Sequence, residues 1–174
     1  RIGKGMAEQE RGRTVLGGSD SQTEVNGDVL NDGDELKEVI THERRHHEQV
    51  ELEATDNEAL LITASGKEAK TDLHLQEGDT EYHTAEVMGE RREGQPDVYR
   101  EGHDIAIEVK RDHGEAWDKA LTNDGRVEDL QEQIWEKGLQ EGTLTMEQLV
   151  EQAGKTGYEK AATRVIQKKL QMAA

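Results

Sequence analysis

A core has to be assembled here almost without aromatic side chains. The sequence holds no Phe, two Trp and three Tyr in 174 residues, so its interior must come from Val, Leu and Ile. Hydrophobic residues make up 32% of the chain and charged residues 35%. An average soluble domain draws about 45–50% of its residues from the apolar set when Gly is counted. The length suits one domain, or one domain with an extension. Its core is expected to be small, with part of the chain ordered against partners.

The charge narrows the partners. With 39 acidic and 22 basic residues the formal charge is −17. Such a surface repels nucleic acid and anionic membranes, because phosphate binding relies on Lys and Arg displacing counterions. One stretch runs the other way: Lys155, Lys160, Arg164, Lys168 and Lys169 face a single acid, Glu159, across 155–169. The absence of Cys excludes disulfides, a thiolate nucleophile and Cys-ligated zinc. No apolar run approaches a membrane span and no signal peptide is visible, so a cytoplasmic or virion location is expected. The first residue is Arg1 rather than Met, which leaves room for residues upstream.

Periodicity divides the chain into three. Residues 1–33 are rich in Gly, Asp and Ser and read as an extended arm. A core domain over 34–140 opens with a helix: Asp32 and Glu35 resemble a capping box, and Leu36, Val39, Ile40 and Val50 share a helical face. From Val50 the period becomes two. Leu52 and Ala54, the run Leu60-Leu61-Ile62, Leu73 with Leu75, and Tyr82 to Met88 read as strands joined by tight turns at Gly66 and Gly78. Asp97–Tyr99 and Ile105–Val109 would form a hairpin. A helical extension over 141–174 follows, with Thr145 and Gln148 as a cap and Tyr158, Ala161, Ala162, Val165 and Ile166 along one side of a last helix. The expected class is α+β: a strand-rich central sheet over about residues 50–110, flanked by an early helix and C-terminal helices.

Residues 95–111 carry the most specific chemistry. On a strand, Glu108 and Lys110 would emerge on one face, and the hairpin would bring Asp97 beside Glu108. Two carboxylates and an ammonium would then converge, as Mg²⁺-dependent phosphodiester hydrolysis needs. Pro96, Asp97, Glu108, Val109 and Lys110 resemble the PD-(D/E)xK nuclease superfamily, and the VRR-NUC type of module in particular, over residues 95–133. The resemblance implies Mg²⁺ ligation by Asp97 and Glu108, assistance to the attacking water by Lys110, and a later helical Gln, here Gln131 or Gln133. It also implies a Glu on an early helix, for which Glu43 lies mid-face.

His42-Glu43-Arg44-Arg45-His46 matches H-E-x-x-H, in which two His one turn apart share a zinc ion and the Glu serves as general base. Its His residues fall away from the apolar stripe and are flanked by Arg44 and Arg45. An exposed charged face without Zn²⁺ is therefore expected there. Two functions follow from the whole: a Mg²⁺-dependent nuclease acting on nucleic acid, or a non-catalytic subunit of a homo- or hetero-oligomeric assembly such as a viral capsid or tail. An H-E-x-x-H zinc metallopeptidase ranks behind both.

Overall fold

The computed structural model describes residues 12–15, 22–25, 32–53, 55–89 and 94–174. Strands β1 (Gly12–Val15) and β2 (Gln22–Val25) pair antiparallel; of the rest of the expected arm, Asp32 and Gly33 begin the first helix and the other residues lie outside the described ones. Helix α1 (Gly33–Glu48) follows, then the short antiparallel pair β3 (Leu61–Ile62) and β4 (Glu68–Ala69). Helices α2 (Asp72–Met88) and α3 (Asp97–Lys119) come next, and a π-helical turn (Ala120–Asp124) leads to α4 (Val127–Glu141), α5 (Met146–Thr156) and α6 (Glu159–Ala173).

The architecture is helical, and the strand-rich α+β sheet expected over 50–110 does not form. The segments expected as strands at Leu73–Leu75 and Tyr82–Met88 belong to α2, and the expected Asp97–Val109 hairpin is one continuous stretch of α3. The physical reason is visible in what faces inward. Along α2 the buried positions are Leu75, Glu77, Gly78, Asp79, Thr80, Glu81 and Thr84. Only one of them is a large apolar residue, so no apolar stripe of period 3.6 marks this helix. In α3 the alternation of Ile105, Ile107 and Val109 imitates a strand. Gly102, Ile105, Ala106 and Val109 are buried at helical spacing, while Ile107 is 43% exposed.

Two clusters form the core. Leu52, Leu61, Leu75, Ile105, Val109, Trp117, Leu121, Leu130 and Ile134 pack between α2, α3 and α4. Trp135, Leu139, Leu149, Ala153, Ala161, Ala162 and Val165 join the opposite side of α4 to α5 and α6. The cap read at Thr145 is present: its hydroxyl accepts from Gln148 N, and Gln148 Oε1 accepts from Thr145 N. Gln131, fully buried, closes the open edge of β3 by bonding Ile62 N at 2.7 Å and Ile62 O at 2.9 Å.

Helices α2 and α3 cross at backbone contact. A Cβ on Gly78 would lie 2.2 Å from Gly102 O, and one on Gly102 would lie 2.3 Å from His74 O. Only two glycines permit this approach, and it sets α3 directly against the acidic face of α2.

Candidate metal centre

Helix α1 presents His42 and His46 one turn apart. Both rings are largely buried, with side chains 17% and 19% exposed, and they face α2. That placement differs from the exposed face expected for them, because α2 meets α1 with carboxylates where an apolar stripe would ordinarily stand. Glu77 lies opposite. Its Oε2 is 3.3 Å from His42 Nε2 and 3.3 Å from His46 Nε2, and the two ring nitrogens are 3.2 Å apart. These three atoms make a nearly equilateral triangle.

The outer nitrogen of each ring is already committed. His46 Nδ1 is 2.9 Å from Gln49 Oε1, and His42 Nδ1 is 3.1 Å from Glu81 Oε1. Gln49 Nε2 donates to Gln76 O, Asp79 Oδ2 and Thr80 Oγ1, so its Oε1 is the acceptor and His46 Nδ1 carries the proton. Glu81, held in turn by Gln95 Nε2, fixes His42 in the same tautomer. On each ring Nε2 is therefore the nitrogen that would offer its lone pair to the triangle once the ring is neutral. Glu77 Oε2 is buried and faces both imidazoles at 3.3 Å.

The donor set bears on which ions the group could hold. Tetrahedral coordination at zinc distances separates neighbouring donors by about 3.3 Å. Octahedral Mg²⁺ would bring them to about 2.9 Å, and it prefers an all-oxygen shell. Two imidazoles and one carboxylate with donor atoms 3.2–3.3 Å apart form a donor set of the kind found around borderline-soft ions.

Electrostatics keep the cluster charged when no ion is present. Burial alone would lower the pKa of His42, but Glu77 and Glu81 outweigh it and raise it to about 10. His46 is raised against burial by Glu77. Burial opposes ionisation of Glu77, yet the two imidazoles bring it down to about 2. Tyr99, on α3, stacks beside His42 with ring centroids 6.1 Å apart and 16° between planes. Burial, then the charges of Glu77, Glu81 and Glu43, push its phenol well above the ordinary tyrosine range. Glu43, between the two His residues in sequence, is 5% exposed.

Beneath the site Asp79, fully buried, accepts from Arg45 Nε at 2.8 Å, Arg45 Nη2 at 3.0 Å, Trp117 Nε1 at 2.9 Å and Gln49 Nε2 at 3.0 Å. Arg45, which the sequence suggested would oppose a cation, is thus neutralised from below.

The residues read as a nuclease site are not gathered. On one helix the eleven-residue step from Asp97 to Glu108 spans about 16 Å. Asp97 is exposed and paired with Arg100. Glu108 accepts from Ser65 N and Ser65 Oγ, both at 2.8 Å, and meets Lys67 at 3.3 Å, tying the β3–β4 turn to α3. Lys110 points elsewhere, 3.1 Å from Asp118 and over the Tyr82 ring. Gln131 serves β3, and Gln133 is exposed. Within the basic C-terminal stretch Arg164, Lys168 and Lys155 are paired with Glu132, Glu136 and Glu68.

Glu77 and Glu81 are the residues that sequence reasoning missed. Their four-residue spacing repeats that of His42 and His46, a signal legible only once 72–88 is read as a helix. Among the described residues no helix is long and apolar enough to cross a membrane. Compared with protein-family models, with curated proteins and with solved structures, the chain finds no match.

Proposed function

We propose that this chain is a Zn²⁺-dependent hydrolase in which His42, His46 and Glu77 hold the ion and Glu43 is the general base. One observation carries the reading: three donor atoms stand 3.2–3.3 Å apart, and the outer nitrogen of each imidazole is occupied elsewhere. A bound zinc ion supplies a Lewis acid that lowers the pKa of its water to about 7. The chain's own groups do the rest. Glu43 takes the proton of the attacking water, and Tyr99, kept protonated by its acidic surroundings, is a neutral donor for the oxygen that gains charge.

The charge of the site bears on the substrate. Glu43, Glu77 and Glu81 all act on Tyr99, and Arg45 is engaged with Asp79 and Glu48. Around the ion a phosphodiester would meet carboxylates and no side-chain cation that this reading assigns to it, so a neutral acyl bond such as a peptide or amide is the better fit.

The test loads the purified chain with Zn²⁺ against a competing chelator and measures cleavage of a mixed peptide library. One ion per chain is expected, lost in His46→Ala and in Glu77→Ala. Glu43→Gln should keep the ion while cleavage falls about 10²–10⁴-fold. Stoichiometric zinc that survives Glu77→Ala would remove the site. Plasmid cleavage in Mg²⁺ that disappears in Asp97→Ala would restore the phosphodiester reading.

A further inference from the structure

The two imidazoles of the proposed centre are oriented by different devices, and the one behind His46 reaches deepest into the molecule. Asp79 is completely buried and receives four hydrogen bonds, two from Arg45, one from Trp117 and one from Gln49. Gln49 passes this fixity on. Its amide nitrogen is held by Asp79, Thr80 and the Gln76 carbonyl, so its oxygen is presented to His46 Nδ1 at 2.9 Å and cannot exchange places with the nitrogen.

We infer that Gln49 and Asp79 are positioning residues, a relay that selects the His46 tautomer with its Nε2 lone pair free for a metal ion. The inference rests on the zinc reading above. If Gln49 turned over, its NH₂ would face His46 Nδ1, and the ring would have to move its proton to Nε2, the atom needed for ligation. Asp79 makes that inversion costly, because it would then face the amide oxygen. Orienting partners of this kind typically change metal affinity by about 10–100-fold.

The experiment compares the full-length wild type with Gln49→Met and with the pair Gln49→Glu/Asp79→Asn, using Zn²⁺ competition titrations and ¹⁵N NMR of the imidazole nitrogens. In Gln49→Met the side chain is similar in length but has no acceptor. Its affinity should fall about 10–100-fold, and the shift that the His46 Nδ1–H owes to its hydrogen bond with Gln49 should be lost. The double variant reverses the donor and acceptor between positions 49 and 79 while still offering His46 an oxygen. It should retain the Nδ1–H tautomer and recover affinity to within about threefold of wild type, and it carries the test alone if Gln49→Met does not fold. A double variant that folds with His46 protonated on Nε2 overturns the relay, as does a Gln49→Met protein that binds zinc like wild type. A wild type that binds no zinc but shows the Nδ1–H tautomer removes the metal centre and leaves the relay as geometry.

Discussion

The two halves of the molecule are held together by different chemistry. Between α1 and α2 the interior is polar: Glu77, Asp79, Thr80, Glu81 and Thr84 are buried on α2, and Arg45, His42, His46 and Gln49 reach in from α1 to meet them. Around α5 and α6 the interior is apolar, with Trp135, Leu139, Leu149, Ala153, Ala161, Ala162 and Val165 closing on one another. There the ion pairs stay outside, as Arg164 with Glu132 and Lys168 with Glu136. Buried charge is costly unless fully paired, and replacing such pairs with apolar residues is often neutral or stabilising. The chain nevertheless buries three carboxylates, Glu77, Asp79 and Glu81, along one helix. The C-terminal half packs without such groups, a contrast that the proposed metal centre would explain.

The sharpest way to break this comparison is to remove one acid from each half. Asp79→Ala strands the Arg45 guanidinium, the Trp117 N–H and the Gln49 amide, and should cost about 3–5 kcal/mol. Glu132→Ala frees an exposed Arg164 and should change chemical denaturation by nothing measurable. Equal effects in urea unfolding would erase the distinction drawn between the halves.

Protons give the next largest effect. His42, raised to about 10, is charged throughout the neutral range in the ion-free protein, so zinc must displace its proton. Affinity should therefore rise at least about tenfold per pH unit, or about a hundredfold from pH 6 to 8, with His46 adding to the slope. The sign for ion-free stability is opposite. A raised histidine stabilises fully below its unfolded value near 6.5 and loses that contribution as pH climbs through about 10. Glu77, depressed to about 2, contributes above its unfolded value and loses this as pH falls toward 2. Chelator competition at pH 6, 7 and 8 checks the first claim. A flat profile would show that the imidazoles are not the ligands.

The same contrast explains what was legible in the sequence. Apolar stripes and caps read correctly where apolar packing decides the structure. Thr145 with Gln148 caps α5, Ala161, Ala162 and Val165 line the buried side of α6, and Asp32 accepts from Asp34 N and Glu35 N at the start of α1. Even Glu43 sits on the inward face its position suggested. Reading failed where inward positions are polar. Hydrophobic periodicity cannot find a helix such as α2 whose buried residues are Glu, Gly, Asp and Thr, and once α2 is lost the partners of His42 and His46 vanish with it. The strand reading of 105–109 failed for a related reason: Gly102 and Ala106 complete the buried stripe of α3, and a scan weighted towards large apolar residues passes over both.

Glycine offers the smallest and most discriminating test, because one substitution should have opposite signs in the two halves. At Gly78 a methyl group would meet the Gly102 carbonyl at 2.2 Å. Helices α2 and α3 would have to separate, and Gly78→Ala should destabilise by about 1–3 kcal/mol while weakening zinc binding, since α2 carries the proposed ligand Glu77. At Gly154, inside α5, an added Cβ has nothing within 4 Å. Alanine there removes conformational freedom from the unfolded chain without meeting a neighbour, so Gly154→Ala should stabilise by about 0.4–1 kcal/mol. It should leave zinc affinity unchanged, because α5 packs in the apolar half. Thermal unfolding of both variants, each with and without one equivalent of zinc, separates the effects. A Gly154→Ala protein that lost zinc affinity would mean that the two halves are coupled through α4, and that the apolar half is part of the device after all.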